Sequence, residues 1–247
     1  MVIIFSKFTK GLDKPFDNIF SKAMVETSKD LFGRFNAYCS HTQSDEITLY
    51  VPAIENIDGN STCVHQFSGR TQKLASLVAG FTTVSFNKNL RYFVYEHIHS
   101  LKENCNRDYE VKLLEKLDSA YFDARVLGVP SREEAFNVFM WRNRDCLKNS
   151  KAQFAQAYCS HKELVGKSLE EQIQYCLEKT SKGWNKLEDK FKYGILIKKE
   201  IYQKKIESTT GACTRSRLVE LSRQFTGFSE ENVELITSKY YNENSRF

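Results

Sequence analysis

The sequence lacks the features that mark several large classes of protein. No stretch approaches the roughly 20 consecutive apolar residues of a membrane-spanning helix. Lys7 and Lys10 interrupt the apolar opening at once, so we expect no signal peptide. The seven cysteines include no CxxC pair, and the closest two, Cys146 and Cys159, are thirteen positions apart. This spacing argues against a zinc site and a disulfide framework, and we therefore expect a cytoplasmic protein with reduced thiols and no membrane contact.

The charge of the chain is only mildly basic, with a formal net charge of +5 and an isoelectric point near 8.7. The basic excess is concentrated, because residues 186–223 contain ten Lys or Arg and only five Asp or Glu. Such a segment is compatible with binding a phosphate backbone. Basic solvated faces are equally common, so charge alone leaves both interpretations open.

A chain of 247 residues with 41% hydrophobic and 13% aromatic side chains is able to bury a substantial core. Its apolar patterns predict an α+β fold. Strands are predicted at residues 2–8, 35–39, 45–51 and 122–129, helices at 17–33 and 68–86, and a helical insertion at about 87–119. This order is the split arrangement of a ferredoxin-like sheet with helices on one face, which also forms the palm of many polymerases. We therefore predict a palm-like domain over residues 1–130, and this arrangement by itself does not imply catalysis.

The second part of the chain, residues 131–247, is predicted to form a helical and basic region packed on the palm. Ser131 with Glu134 and Ser168 with Glu171 have the spacing of capping boxes, which begin helices. A basic, partly exposed hairpin and a short helix complete this C-terminal extension.

Two adjacent carboxylates, Asp45 and Glu46, mark the predicted site of chemistry. They follow a polar turn predicted at residues 41–44 and begin a strand. A carboxylate on a rigid strand end suits Mg²⁺, which prefers hard oxygen ligands and usually shares them with phosphates. The alternative is a solvated turn with two surface acids, and the local pattern is compatible with both.

Further short motifs accompany these acids along the chain. They are residues 5–9 with 14–17, 43–46, Arg70 with Lys73, 122–126, 141–150, 160–163 with 166–168, and 184–185. Together they resemble the histidine-tRNA guanylyltransferase family, in particular its shorter bacterial and archaeal-type members, over roughly residues 1–200. The resemblance implies a palm that adds nucleotides to the 5′ end of tRNA, in the 3′–5′ direction. ATP activates the 5′-phosphate, and GTP or another nucleoside triphosphate then attacks, with two Mg²⁺ ions neutralising the phosphoryl charge.

The resemblance also implies roles for individual residues. Asp45 matches a metal-binding aspartate and, with Glu46, is the predicted catalytic pair. The predicted nucleotide-binding residues are Phe5, Ser6, Lys14, Asp17, Ser44, Lys73 and Asn149, and the predicted tRNA contacts are His161, Lys162 and Lys167. Asp17 as a helix cap, His161 as a loop hydrogen-bonder and Asn149 as a polar helix residue remain alternatives. The resemblance further implies a homo-oligomer, a tetramer in the family.

Two departures from the family pattern leave alternatives open. The family places an Asp-Gly pair before the phenylalanine matched by Phe5, where this chain has Met1 and Val2. Either the reading frame begins upstream, or catalysis is lost or altered. A catalytically silent tRNA-binding module is therefore the alternative function, and a palm-type cyclase a more remote one. Around Asn149 the chain keeps only the first of the paired asparagines of eukaryotic enzymes, as do relatives that repair truncated tRNA 5′ ends.

Overall fold

The computed structural model describes residues 5–54, 66–100, 107–205 and 212–242. Its helices are α1 (Phe5–Phe8), α2 (Asn18–Arg34), α3 (Thr71–Ser100), α4 (Arg107–Leu114), α5 (Arg132–Tyr158), α6 (His161–Leu164), α7 (Leu169–Thr180), α8 (Asp189–Tyr193) and α9 (Glu230–Thr237). Its strands are β1 (Cys39–Gln43), β2 (Glu46–Tyr50), β3 (Ile195–Lys205), β4 (Ala212–Leu221) and β5 (Tyr241–Asn242). Within these ranges no helix has both the length and the apolar character needed to cross a lipid bilayer.

The helix starts that were predicted from capping residues are confirmed. The Asp17 side chain accepts a hydrogen bond from the backbone N–H of Phe20 at 2.8 Å and begins α2. Ser131 and Ser168 cap α5 and α7 in the same way. These side-chain oxygens satisfy backbone donors that a helix leaves unpaired at its first turn. Gly33 does not end α2, which continues to Arg34.

The sheet is antiparallel along the order β2-β1-β3-β4, and β5 pairs with β3 in parallel. The predicted hairpin is present, but its first strand begins at Cys39 rather than Phe35. The backbone N–H of Ala37 donates to the Phe32 carbonyl at 3.0 Å, which ties the preceding residues to the end of α2. Strands from both sides of residue 130 share this sheet, and the domain boundary predicted there stays a prediction.

The mixed α+β class is confirmed, whereas two strands of the predicted order are wrong in the described part. Residues 5–8 form α1, and residues 1–4 of that predicted strand lie outside the described residues. Residues 122–129 belong to no helix or strand and pair with no described strand. Phe122 is anchored with its ring 5.3 Å from that of Phe86, while Leu127 is exposed. Residues with an alternating apolar pattern form a β-strand only where a neighbouring strand provides the partners for their backbone hydrogen bonds.

Helix α3 is longer than the predicted helix at 68–86, because it absorbs the first half of the predicted insertion at 87–119. Leu90 and Val94 continue its buried face beyond that limit. Helix α4 supplies the helical second half of the insertion. The insertion is therefore largely a continuation of the α2–α3 core.

Helices cover both faces of the sheet. On one face, Val25 and Phe32 of α2 pack with Ile195 and Ile197 of β3. On the other, side chains of α5 and α9 pack around Leu196, since successive strand residues point to opposite faces. Burying each such side chain contributes roughly 1.5–3 kcal/mol. The β1–β2 hairpin thus belongs to a sheet that is packed on both sides.

Candidate active site

The two predicted acids lie at the tip of the β1–β2 hairpin. Gln43 pairs with Glu46 across the strands, so Ser44 and Asp45 alone form the turn. Ser44 has a φ of 51°, in the left-handed region that two-residue hairpin turns commonly require. The turn predicted at residues 41–44 is therefore wrong in position, because His41 is a buried strand residue. We call residues 43–46 the hairpin tip, and Asp45 is half-buried at its apex.

Helix α5 holds the hairpin tip from one side. The Gln43 side-chain amide donates to the Cys146 carbonyl at 3.2 Å. Arg142 donates from Nη1 to Glu46 Oε2 at 3.0 Å, which makes an ion pair. The two contacts lie one helical turn apart on α5, so they fix both the position and the direction of the tip.

Several charges surround Glu46. Partial burial raises the pKa of the Glu46 carboxyl above its ordinary value, Arg142 opposes that rise, and Asp45 and Asp145 add to it. Asn149, one turn further along α5, donates to Asp145 Oδ2 at 3.3 Å. The structure therefore brings Asn149 onto the same stretch of α5 as the residues that hold the tip.

A buried asparagine fixes the supporting elements behind the tip. Asn143 donates to the carbonyls of Tyr193 and Arg223 at 2.9 and 3.0 Å and accepts from the backbone N–H of Phe225 at 2.9 Å. His41 Nε2 lies 3.0 Å from the same Tyr193 carbonyl. Burial lowers the pKa of His41, which favours the neutral imidazole.

The start of β3 passes so close to His41 that the chain has a glycine there. A Cβ on Gly194 would lie 2.5 Å from His41 Nε2, and its φ of +77° is in the left-handed region. A side chain at this position would displace the His41 imidazole.

The loop before α2, which contains the predicted nucleotide-binding residue Lys14, approaches the same supporting elements. Phe16 stacks on Phe191 of α8 at 4.9 Å, and α8 ends at the Tyr193 whose carbonyl lies beside His41. Lys14 is exposed in this loop. Asp17 is buried and also accepts from the Tyr109 hydroxyl at 2.6 Å, so the structure gives it a bracing role besides its helix cap.

Three other predicted nucleotide-binding residues lie on helices α1 and α3. Lys73 is exposed in the first turn of α3, with Nζ 5.2 Å from the centre of the Phe67 ring. Phe5 and Ser6 lie in α1. In the part of the chain that the structure describes, no hydrogen bond or ion pair joins Lys14 or Lys73 to Asp45.

The predicted tRNA contacts surround α6, and we call residues 160–167 the α6 segment. Glu163 organises it by accepting from the Ser160 backbone at 2.8 Å and from Lys179 at 2.6 Å. Lys167 donates to the Glu163 carbonyl at 2.8 Å, with its Nζ 5.1 Å from the centre of the Tyr175 ring. His161 and Lys162 remain exposed.

The groove beside the α6 segment has a volume of about 620 Å³. Lys167 and Lys151 line it together with Tyr175 and Trp184. Lys151 also forms an ion pair with Glu170 across this groove. Of the predicted tRNA contacts, Lys167 is the one that faces this groove.

The donor chemistry at the tip fits a single magnesium ion better than a preformed two-metal site. Among the described residues, no three His, Cys, Asp or Glu side chains are grouped to hold a metal. Glu46 is already paired with Arg142, which leaves the Asp45 carboxylate as the hard oxygen ligand. Proteins commonly bind Mg²⁺ through one or two carboxylates together with substrate phosphates.

Sequence reasoning named Asp45, Glu46 and Asn149 but gave no role to Arg142 and Asn143. A signal for Arg142 was present, because Arg142, Cys146 and Asn149 follow at intervals of four and three on one face of a predicted helix. No comparable signal identifies Asn143, whose partners lie 50 to 82 residues away along the chain.

Comparisons with known proteins agree with this geometry. Residues 3–130 match the family described as Thg1, tRNAHis guanylyltransferase. A bacterial tRNA(His) guanylyltransferase (Thg1)-like protein in complex with ATP is 32% identical, with a TM-score of 0.62 and coverage of 78% of this chain and 75% of that one. A bacterial Thg1-like protein in complex with GTP is 31% identical, with a TM-score of 0.58 and coverage of 88% and 77%.

Two further proteins are similar to this chain. An uncharacterized protein of Acanthamoeba polyphaga mimivirus is 34% identical over 204 residues, which are 80% of this chain and 67% of that protein. The tRNA(His) guanylyltransferase of Saccharomyces cerevisiae is 20% identical, with a TM-score of 0.59 and coverage of 78% and 80%, and shows the shared fold.

The fold and these matches define a nucleotidyltransferase of tRNA processing. The chain belongs to the Thg1 family of tRNAHis guanylyltransferases, and the resemblance read from its motifs is confirmed.

Proposed function

We propose that this protein adds a GTP-derived nucleotide to the 5′ end of a tRNA, in the 3′–5′ direction, after ATP has activated the 5′-phosphate. Family membership supports the reaction class, and the ATP and GTP complexes of bacterial Thg1-like proteins support the two nucleotides. The observation that carries the proposal is the position of Asp45, at the apex of a two-residue turn that α5 clamps through Gln43 and Glu46.

In this proposal the hairpin tip positions the triphosphate. The Asp45 carboxylate would hold Mg²⁺ together with the phosphates, and a bound ion would supply positive charge for phosphoryl transfer. Arg142 pairs with Glu46 and so limits the negative charge beside the phosphates. Ser44 in the turn and Asn149 on α5 contribute polar groups at the same place. The second Mg²⁺ that the family implies needs a further ligand, which the described residues do not group with Asp45.

The remaining nucleotide-binding residues complete this hypothesis. Lys14 and Lys73 are exposed cations that contact phosphates once the nucleotides bind. Phe5 and Ser6 provide backbone donors, and Asp17 keeps the loop of Lys14 in shape through its cap.

The tRNA is proposed to lie across the α6 segment, where His161, Lys162 and Lys167 face its phosphates. The β3–β4 hairpin adds exposed cations such as Lys204 and Arg215. Cationic side chains of this kind bind a phosphate backbone in a salt-dependent manner.

A homo-oligomer and a cytoplasmic location belong to the same proposal. The exposed side chains of Val84 and Tyr92 along α3 offer an apolar surface for assembly. Sedimentation analysis tests the oligomeric state.

An assay of nucleotide addition to the 5′ end of tRNA tests the reaction. The protein is incubated with intact or 5′-truncated tRNA, ATP, labelled GTP and Mg²⁺, and a tRNA bearing a 5′-triphosphate serves as a substrate already activated. We expect extension that needs ATP only for the 5′-monophosphate tRNA. Asp45→Asn lowers the rate by roughly tenfold or more, whereas Asp108→Asn, an exposed acid on α4, does not. No extension of any tRNA would contradict the reaction, and full activity of Asp45→Asn would contradict the site.

A tRNA-binding module without catalysis is the second candidate. It is favoured by the exposed cations of the β3–β4 hairpin and by the absence of a three-ligand metal group among the described residues. It predicts tRNA binding that weakens steeply with salt and no nucleotide incorporation. Turnover that depends on Mg²⁺ eliminates this candidate.

A further inference from the structure

Two cysteines that are distant in the sequence have sulfur atoms in contact. Cys159 Sγ and Cys176 Sγ are 2.8 Å apart. Their side chains are 6% and 0% exposed, within the cluster that joins α5, α6 and α7. A disulfide bond is about 2.05 Å long, so the two atoms need to approach by only about 0.8 Å to form one. Among the cysteines of the described ranges, no other two are paired in this way.

The pair also occupies a particular place in the fold. Cys159 is the residue that caps the C-terminus of α5, and Cys176 lies within α7, seventeen residues later. The chain between them contains the whole α6 segment and the first half of α7. A bond between these sulfurs would close that stretch into a loop whose two ends are fixed to the packed core.

We propose that Cys159 and Cys176 form a reversible intrachain disulfide that fastens the α6 segment to the end of α5. The oxidant is a small-molecule disulfide such as glutathione disulfide. One protein thiolate attacks it and releases a thiol, and the second protein thiolate then displaces the other thiol. Two S–H bonds of the protein become one S–S bond, and the oxidant is reduced to two thiols.

The surroundings of the pair are compatible with a stable reduced state as well. Burial raises the pKa of the Cys176 thiol to about 12, and the neighbouring Cys159 thiol adds to that rise. Because the thiolate is the reactive form, the dithiol persists when no oxidant is present. Exchange then requires local opening of the α6 segment, which is held by hydrogen bonds of Glu163 and by the buried Leu164 side chain.

Peptide mapping of the full chain tests the bond directly. The reduced protein is incubated with excess glutathione disulfide, and a second sample is refolded from urea in the same buffer so that access to the thiols is not limiting. Free thiols are blocked with N-ethylmaleimide before digestion with trypsin. The expected product joins peptide 152–162 to peptide 168–179, each of which contains one cysteine, and dithiothreitol separates them. Alkylation or glutathionylation of both cysteines without the joined peptide, in both samples, overturns the proposal.

Variants and a second readout separate the bond from its effect. Cys213→Ser removes a cysteine outside the pair and retains the joined peptide, whereas Cys159→Ala and Cys176→Ala each abolish it. Oxidation is expected to slow amide hydrogen exchange in residues 160–167 several-fold in the unmodified sequence and not in Cys176→Ala. A joined peptide that leaves this exchange unchanged would overturn the fastening role.

Discussion

The hairpin tip and the α6 segment, the two regions assigned to binding, are held in different ways. The contacts of Gln43 and Glu46 with α5 span 103 and 96 residues of sequence. In the α6 segment, Glu163 bonds to Ser160 three residues before it and to Lys179 sixteen residues after it. The tip therefore depends on the whole fold, whereas the α6 segment is organised locally. Substitutions in the core are expected to disturb the hairpin tip. A substitution of Glu163 is expected to disturb the α6 segment alone.

The largest effect is expected at Asn143, which joins α5 to the elements behind the tip. Asn143→Ala leaves the Tyr193 and Arg223 carbonyls and the Phe225 N–H without their partner. Stranded buried polar groups make the expected loss about 2–4 kcal/mol in the free energy of unfolding, measured by urea denaturation. Asn137→Ala, on the same helix with one side-chain contact to Glu134, is the control. Equal losses in the two variants would contradict a special role for Asn143.

A smaller effect that depends on pH is expected at Lys198, which supports the base of the hairpin. This buried lysine donates to the carbonyls of Tyr38 and Ser238, both at 2.7 Å. Burial lowers the pKa of Lys198 to about 8, from 10.5. Between these values the unfolded chain holds a proton that the folded chain has released, so the folded state gains stability as pH rises. Below pH 8 the cost of the buried charge is fully present.

Relative to Lys198→Met, the natural sequence should therefore gain about 1–2 kcal/mol of unfolding free energy between pH 7.5 and pH 9.5. Urea denaturation across this range measures the difference. Lys199→Met keeps Lys198 and should follow the pH dependence of the natural sequence. A difference between Lys198→Met and the natural sequence that is constant with pH would show that Lys198 stays charged throughout.

The ion pair at the hairpin tip is expected to change the titration of one carboxyl. Arg142→Ala removes a cation that lowers the pKa of Glu46, so that pKa should rise further above its ordinary value. Carboxyl ¹³C NMR follows the titration. Arg144→Ala removes an exposed arginine from the same helix and should leave Glu46 as it was. If the pKa of Glu46 is the same in Arg142→Ala as in the natural sequence, the hairpin tip does not contact α5 in solution.

The smallest and most local effect is expected at Glu163. Hydrogen bonds from Lys179 and Ser160 hold the pKa of its carboxyl at about 2. Its stabilising contribution is thus complete above the ordinary carboxyl pKa and is lost as pH falls through about 2. Glu163→Gln should speed amide hydrogen exchange in residues 160–167 several-fold and leave residues 39–50 unchanged. Glu178→Gln on α7 is the control. Faster exchange throughout the chain in Glu163→Gln would show that the α6 segment is not held by local contacts alone.

The contrast between contacts that are local in sequence and contacts between distant residues explains how much of the molecule could be predicted from its sequence. Capping residues such as Asp17 and Ser168 act within four positions, so their spacing alone located helix starts correctly. The hairpin and its apical acids were also predicted, with an error of a few residues in the turn. The strand predicted at 122–129 failed because a strand needs a neighbour, and local alternation carries no information about one.

The missing parts of the candidate site were those built from distant residues. Helical spacing places Arg142 on one face with Cys146 and Asn149, but it does not indicate that Arg142 meets Glu46. Nothing near Asn143 in the sequence indicates that it bonds to Tyr193, Arg223 and Phe225. Motif order identified the family and the acid at the tip, whereas only the folded chain showed that Lys73 contacts the Phe67 ring and that Asn149 donates to Asp145.

Binding of GTP in the presence and absence of Mg²⁺ tests most directly whether Asp45 is part of a binding site for a metal-bound triphosphate. Isothermal titration calorimetry compares the natural sequence with Asp45→Asn and with Asp108→Asn. The account predicts that Asp45→Asn weakens the Mg²⁺-dependent affinity by roughly tenfold or more, with the circular dichroism spectrum unchanged, while Asp108→Asn binds normally. Equal Mg²⁺-dependent affinities for all three proteins would contradict it.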